Sequence, residues 1–170
     1  MTGLGRMTAA IIACLVFAVG PTVDAAETGP LAPQGSFSPP LPLIVVTPFQ
    51  PPATRYGAGH RGVDLAATAG TTVLAAAAGT VVYAGLLADR GVISIEHDGG
   101  LRTTYEPVRA LVEVGDRVYR GQPIGAVEAG HGPCAPTVCL HLGARMPDRI
   151  YLDPLALFRP WLVRLKPWEG

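Results

Sequence analysis

Between residues 55 and 157, short runs of β-branched and other apolar residues alternate with glycine-containing turns. No window in this part of the chain keeps the apolar spacing of a helix. Asp98-Gly99-Gly100 lies between two of the runs and is typical of a β-hairpin turn. We therefore predict an all-β fold, a compact antiparallel β-sandwich or partly open barrel. The predicted strands are residues 72–74, 79–84, 91–97, 101–105, 117–119, 124–127 and 139–144.

The first 25 residues have the pattern of a secretory signal peptide. Arg6 precedes an apolar run over residues 9–19, and Val23-Asp24-Ala25 matches a small-x-small cleavage site. This run is shorter than the roughly 20 residues that a membrane-spanning helix needs, which disfavours the alternative of an uncut anchor. We expect cleavage after Ala25 and a mature protein without a transmembrane span, secreted or held in the cell wall or a periplasm-like space.

Proline is frequent after the predicted cleavage site, which indicates a proline-rich linker or arm over residues 26–52. Within this arm, residues 41–49 (LPLIVVTPF) are apolar enough to form an edge strand at the entrance to the domain. We place the folded domain at residues 53–158. The remaining residues, 159–170, form a C-terminal tail with two tryptophans, which we expect to pack back on the sheet.

The charges of the chain balance, because it has 13 Lys+Arg and 13 Asp+Glu, and charged residues make up only 15% of it. Proteins that bind nucleic acid usually carry a basic patch or stripe. The composition therefore argues against a nucleic-acid partner. Nothing in the sequence indicates a defined oligomer.

Two short motifs contain residue types that suit a metal ion. In GHRGVDLA, His60 and Asp64 are four residues apart, which puts both side chains on one face of a strand. In CLHLGA, Cys139 and His141 are two residues apart and also share a face. Together, His60, Asp64 and His141 would form a site of two histidines and one carboxylate, the open arrangement of catalytic zinc. Taken alone, the first motif is more typical of an ordinary hydrogen-bonded His–Asp pair.

Five segments, in this order, carry a resemblance to a known family: HRGVDLAATAGTTVLAAAAGTVVYAG, GVISIEHDGGLRTTYEPV, VEVGDRVYRGQPIG, CLHLGAR and YLDPLALF. They resemble the lysostaphin-like zinc endopeptidases, the LytM-domain peptidoglycan hydrolases, over residues 56–157. The resemblance implies a compact β fold with an antiparallel sheet and a groove over bound Zn²⁺. It also implies cleavage of peptide bonds in peptidoglycan peptides, with His60, Asp64 and His141 as the zinc ligands.

The chain departs from that family at two positions. The family's His-x-His motif has a catalytic histidine where this chain has Cys139, and its Tyr-x-His motif has a second one where this chain has Pro107. Loss of general acid–base help costs about 100- to 10,000-fold in rate. The candidate substitutes are His131, in a glycine-flanked turn, and Glu106, next to Pro107. We expect His97 to order its hairpin instead.

The two cysteines that follow the predicted signal peptide allow three interpretations. A disulfide between Cys134 and Cys139 would staple a small loop, and export together with an even cysteine count favours it. Cys139 could instead be a fourth zinc ligand beside His141, which would close the site and make it structural. Two free thiols, one acting as a base or redox sensor, are the third interpretation.

These features lead to one preferred function and two alternatives. The preferred function is a secreted zinc metallopeptidase acting on peptide bonds of peptidoglycan, because all three metal ligands are present. The first alternative is a catalytically silent wall-binding or hydrolase-regulating module that keeps the zinc site, because both usual catalytic histidines are absent. The second is a secreted β domain with a structural metal.

Overall fold

The computed structural model describes residues 37–54, 56–129, 134 and 138–158. The predicted signal peptide, the first part of the arm, His131 and the C-terminal tail lie outside the described residues. Within those ranges the chain forms eleven strands and three short 3-10 turns, and no α-helix. The strands are β1 (Val45–Thr47), β2 (Gly62–Ala67), β3 (Thr72–Leu74), β4 (Gly79–Leu87), β5 (Arg90–Glu96), β6 (Arg102–Glu106), β7 (Val108–Ala110), β8 (Arg117–Val118), β9 (Pro123–Val127), β10 (Val138–Met146) and β11 (Ile150–Leu152).

The strands form two antiparallel sheets. The larger one has eight strands in the order β1-β2-β10-β6-β5-β4-β8, with β11 paired to β10. The smaller one has three strands in the order β3-β9-β7. This arrangement confirms the all-β, antiparallel fold predicted from the sequence. In the described part of the chain, no helix has the length and apolar character needed to cross a membrane.

The seven predicted strands all occur, with ends that differ from the prediction by at most three residues, and β1 forms the predicted edge strand. The sequence did not predict β2, β7 and β11. The segment of β2 stood out for its metal-binding residue types and not for strand periodicity. The turn before β11 lacks the glycine signal, because Asp148 and Arg149 adopt positive φ angles of 61° and 60° without glycine.

Alternation along the strands separates a core face from a polar face. On β10, Leu140 and Leu142 are fully buried and pack in the same core cluster as Val63 and Leu65 of β2. This cluster also contains residues of the smaller sheet, including Val73 and Ile124, so the main core lies between the sheets. Because successive side chains point to opposite faces, the residues between these core positions lie on the other face of the larger sheet.

The end of the proline-rich arm is part of the folded unit. The backbone N–H of Ser38 donates to the carbonyl of Ala76, and the N–H of Leu74 donates to the carbonyl of Pro40. Leu41 is only 6% exposed and belongs to the core cluster. Residues 37–47 are therefore anchored to the domain by hydrogen bonds and by apolar packing.

A buried polar network joins β5, β6 and the segment before β4. The ring of His97 contacts the carbonyl of Ala78 at 2.8 Å and the hydroxyl of Thr103 at 2.7 Å. The Thr103 hydroxyl is bonded to that of Tyr105 at 2.9 Å, which also accepts the N–H of Ala76 at 3.0 Å. Burial lowers the pKa of His97. His97 therefore has a structural role, as expected from the sequence.

We expect Tyr105 to give an alkaline titration step near pH 12. Burial raises the pKa of its phenol to about 12. Because a raised folded-state pKa favours the protonated form, Tyr105 stabilises the fold fully below its unfolded pKa of about 10, and this contribution is lost as pH rises through the folded value. Ultraviolet titration of phenolate should show the step, and Tyr105→Phe should lack it. Identical titration curves for the two proteins would contradict the prediction.

Candidate metal centre

Strand pairing brings the residues of the two sequence motifs together. In the antiparallel register, His141 of β10 lies opposite Asp64 of β2 on one side and opposite Glu106 of β6 on the other. Directly opposed residues point to the same face of a sheet, with Cβ atoms about 4.5–5.5 Å apart. His60 precedes β2 and is held by an isolated bridge to Gln50. The three predicted zinc ligands and Glu106 therefore share one face of the larger sheet.

The donor atoms of the three predicted ligands converge. Nε2 of His60 lies 3.1 Å from Oδ1 of Asp64, and Nδ1 of His141 lies 2.9 Å from the same oxygen. The two ring nitrogens are 3.0 Å apart. One ligand atom from each residue therefore lies within 4.8 Å of the other two.

The carbonyl of Pro48 sets the orientation of the His60 ring, because it lies 2.8 Å from Nδ1. A carbonyl oxygen only accepts hydrogen bonds, so Nδ1 carries the hydrogen and, in the neutral ring, Nε2 presents its lone pair. This lone pair points toward Asp64 and His141. A partner that fixes the tautomer in this way is typical of a metal-binding histidine.

Hydrogen bonds alone do not satisfy this cluster. Three atoms meet at this point: Nε2 of His60, Oδ1 of Asp64 and Nδ1 of His141. With Nε2 of His60 unprotonated, Nδ1 of His141 is the only one of the three that can carry a hydrogen. The second oxygen of Asp64, Oδ2, is buried and has no hydrogen-bond partner among the described residues. Asp64 is 1% exposed, and a buried carboxylate oxygen is costly without a partner. A divalent cation would satisfy all of these atoms, and two histidines with one carboxylate suit zinc.

The environment of Asp64 keeps its carboxylate charged. Burial acts to raise the pKa of Asp64, but the hydrogen bonds from His141 and Thr47 and the electrostatic effect of the two histidines outweigh it. The net effect lowers the pKa below its ordinary value of 3.8. At neutral pH the carboxylate is thus in the ionised form that a metal requires.

Gly62 leaves the space that the His141 ring occupies. A Cβ atom at position 62 would lie 2.6 Å from Nε2 of His141 and would also overlap the carbonyl of Leu142. Gly143, the cross-strand partner of Gly62, has no such restriction, because a Cβ atom at position 143 would meet no atom closer than 3.7 Å. A glycine is therefore required at position 62, because the ring of His141, the third predicted ligand, approaches it closely.

Cys134 and Cys139 form a disulfide beside the three ligands. Both cysteines are buried, and one ligand atom from each lies within 4.8 Å of a carboxylate oxygen of Asp64. A sulfur in a disulfide offers no thiolate. In this oxidised state Cys139 is neither a base nor a fourth thiolate ligand, and the site keeps an open position.

Removing the disulfide with Cys134→Ala and Cys139→Ala should lower the free energy of unfolding by about 2 kcal/mol. The reason is that a short loop gains conformational entropy in the unfolded chain once the link is gone. Urea denaturation of metal-free protein, oxidised and reduced, provides the measurement. The reduced wild type should match the double variant, whereas equal stability of all three samples would contradict the prediction.

Glu106 is the described candidate for a substitute base. Its carboxylate is held by Arg90, with Nε at 2.8 Å from Oε2 and Nη2 at 3.4 Å from Oε1. The side chain of Glu106 is 18% exposed, so it remains accessible to solvent. Pro107, where the related family has its second histidine, is buried and offers no titratable group. His131 lies outside the described residues and stays a prediction.

Arg90 is a site residue that the sequence did not indicate. It opens β5 and reaches β6 across the sheet, although 16 residues separate it from Glu106 in the chain. No motif or periodicity singles out an arginine at this position. Strand register alone, once known, would have placed it near Glu106.

An open site of two histidines and one carboxylate on a β-sheet has the ligand set that catalytic zinc sites use. The family model described as "Peptidase family M23" matches residues 58–154. The chain belongs to this family. Its peptidases are zinc metalloendopeptidases, and the family acts on peptidoglycan substrates.

Curated relatives come from mycobacteria. The chain is 49% identical over 129 residues to uncharacterized proteins of Mycobacterium tuberculosis (Rv2891) and Mycobacterium bovis (Mb2915). The match covers 74% of this chain and 52% of each relative. The chain therefore spans about half the length of the curated relatives it matches.

Two solved structures illustrate the likeness of the fold. Csd3 of Helicobacter pylori aligns with a TM-score of 0.62 and 27% identity, over 78% of this chain and 37% of that chain. The catalytic domain of the antimicrobial peptidase lysostaphin from Staphylococcus simulans aligns with a TM-score of 0.55 and 27% identity, over 65% of this chain and 88% of that domain. These likenesses confirm the lysostaphin-like resemblance stated from the motifs.

Proposed function

We propose that this protein is a zinc metallopeptidase that hydrolyses peptide bonds in peptidoglycan peptides outside the cytoplasm. The observation that carries the proposal is the convergence of His60, Asp64 and His141, with a buried Asp64 oxygen, Oδ2, that has no hydrogen-bond partner in the described part of the chain. Membership of a peptidase family supports the reaction class. The predicted signal peptide over residues 1–25 supports export.

In the proposed mechanism, His60, Asp64 and His141 would hold a zinc ion. Bound zinc would supply Lewis-acid polarisation of the peptide carbonyl and a lowered pKa of water. Glu106 accepts a proton from the attacking water and passes it to the nitrogen of the leaving amine, so the C–N bond breaks as a C–O bond forms. Arg90 orients the Glu106 carboxylate through two hydrogen bonds.

A second candidate function is a catalytically silent module that keeps the metal site and binds peptidoglycan or regulates another hydrolase. The observation that favours it is the pair of replaced histidines. Cys139 is engaged in a disulfide and Pro107 is buried, so neither can transfer a proton. Glu106 is also partly neutralised by its ion pair with Arg90.

Two measurements on the purified mature protein test these functions. Zinc content by mass spectrometry should be near one ion per chain in the wild type and strongly reduced in His141→Ala. Muropeptide analysis of digested peptidoglycan should show new free amino termini that disappear with a chelator and return with zinc. Bound zinc without cleavage of several wall types would favour the silent module, and a wild type that binds no zinc would overturn both functions.

A further inference from the structure

A second group of potential metal ligands lies beside the first. Among the described residues, ligand atoms of Asp64, Cys134 and Cys139 also lie within 4.8 Å of one another. Asp64 therefore belongs to two sets of ligand types, one with two histidines and one with two cysteines. The two sulfurs are bonded to each other, so the second set is closed to a metal ion as long as the disulfide persists.

Strand register explains why the two sets meet at one carboxylate. Cys139 of β10 lies opposite Ala66, which is two residues beyond Asp64 on β2. Residues two apart on a strand share a face, so Cys139 is a diagonal neighbour of Asp64 on the face of the metal centre. His60 precedes β2, whereas Cys139 pairs with the far half of this strand. The first histidine and Cys139 therefore approach the carboxylate from opposite ends of β2.

The carboxylate of Asp64 has an oxygen left for the second set. Oδ1 contacts both ring nitrogens of the first set, Nε2 of His60 at 3.1 Å and Nδ1 of His141 at 2.9 Å. Oδ2 is buried and lacks a hydrogen-bond partner within the described ranges. A carboxylate can coordinate an ion through one or both of its oxygens. Oδ2 can therefore serve an ion that the two histidines do not hold.

Reduction of the disulfide would place two further anionic ligands in this buried region. Cys134 is 6% exposed, Cys139 is 2% exposed and Asp64 is 1% exposed. Buried thiolates and a buried carboxylate need a counter-charge, which a divalent cation supplies. Thiolates select soft ions, and zinc is one of them. Tetrahedral zinc with Zn–S bonds of about 2.3 Å holds two sulfurs about 3.8 Å apart. Side-chain rotation can give this separation while the two Cα atoms stay 5.9 Å apart.

We propose that the reduced protein has a second metal site, formed by Asp64 and the thiolates of Cys134 and Cys139, which takes zinc or another thiophilic divalent cation. The disulfide accepts two electrons and two protons from a dithiol, which itself becomes a disulfide. The ion then displaces one proton from each thiol and forms two metal–sulfur bonds. Oxidation of the cysteines releases the ion and leaves Asp64 to the histidine site. The site concerns metal binding and does not depend on hydrolysis.

Cobalt(II) titration of the mature protein tests the second site, because thiolate–cobalt bonds absorb in the near ultraviolet by charge transfer. Cys14 lies in the predicted signal peptide, so the mature protein has two cysteines and the signal comes from them. A phosphine serves as the reductant, takes oxygen from water to become a phosphine oxide, and is removed under nitrogen before the titration. We expect the absorption in the reduced wild type and not in the oxidised wild type.

The key variant is His141→Ala, which removes a ligand of the histidine site and none of the second site. Its oxidised form should bind little zinc, whereas its reduced form should bind about one ion per chain. Adding Asp64→Asn should weaken zinc binding by the reduced form more than about 10-fold, the smallest loss expected for a supporting group. The matched control adds Cys134→Ser and Cys139→Ser to His141→Ala, and it should bind little zinc with or without reductant.

Three results would overturn the second site. They are a reduced wild type without the sulfur–cobalt absorption, zinc binding that survives both serine substitutions, and amide NMR spectra of the zinc-loaded reduced variant without native dispersion. The third would assign the binding to an unfolded chain.

The same samples separate this site from the proposed function. Oxidised wild type with zinc, together with a reduced His141→Ala variant without zinc, would remove the second site and keep the proposed function. The opposite pair of results would keep the second site and overturn the proposed function.

Discussion

Replacing Glu106 with Gln should lower the rate of peptide hydrolysis by about 100- to 10,000-fold and leave zinc binding unchanged. Glutamine keeps the size of the side chain but cannot accept a proton, so the general-base contribution is lost. Glu106 is not among the three converging ligands, and its carboxylate is bound by Arg90. Hydrolysis of a defined muropeptide, followed by liquid chromatography, gives the rate, and zinc analysis of the same sample gives the metal content.

The controls for this prediction are chosen by position. Glu113→Gln changes the same functional group at an exposed site in the loop after β7, and it should retain full activity. Arg90→Gln should reduce the rate less than Glu106→Gln does, because it leaves the carboxylate in place without its partner. Full activity in Glu106→Gln would remove Glu106 as the base, and His131→Ala would then test the other sequence candidate.

Gly62→Ala should weaken zinc binding by about 10- to 100-fold, as displacement of supporting groups around a metal typically does. The added methyl would overlap the carbonyl of Leu142 and lie 2.6 Å from Nε2 of His141, so the ring must leave its position. Overpacking of this kind also costs about 1–3 kcal/mol of stability. Zinc affinity by competition with a chromophoric chelator and thermal unfolding of the metal-free protein are the two measurements.

Gly143→Ala is the matched control, because positions 62 and 143 are directly opposed in the same strand pair. Its methyl would meet neighbouring atoms only at 3.7 Å and beyond, an ordinary contact distance. We expect wild-type zinc affinity and nearly unchanged stability from this variant. Equal zinc affinities for the two alanine variants would show that close packing against His141 does not set the metal site.

The sequence predicted the parts of this protein that depend on local pattern. Alternating apolar residues and glycine turns define most strands, because each strand must bury one face. The triad of His60, Asp64 and His141 was also predicted, but its closeness rested on family resemblance. Nothing local relates residue 60 to residue 141, and only the pairing of β2 with β10 brings them within 3.0 Å.

The parts that the sequence did not predict depend on contacts between distant strands. The ion pair of Arg90 and Glu106, for example, forms across the pairing of β5 with β6. The cysteines were a different case, since three redox and ligand states fitted the same spacing. Whether the two sulfurs bond depends on the geometry of the folded loop and on the redox conditions around it.

The hydrogen bond from His60 to the carbonyl of Pro48 has a practical consequence for fragment design. Pro48 lies upstream of residue 53, where the sequence pattern alone would start the domain, and residues 37–47 supply core packing and strand β1. A truncation that begins at residue 53 would remove the group that orients the first ligand. Expression fragments intended for metal-binding or activity assays should therefore start at or before residue 37.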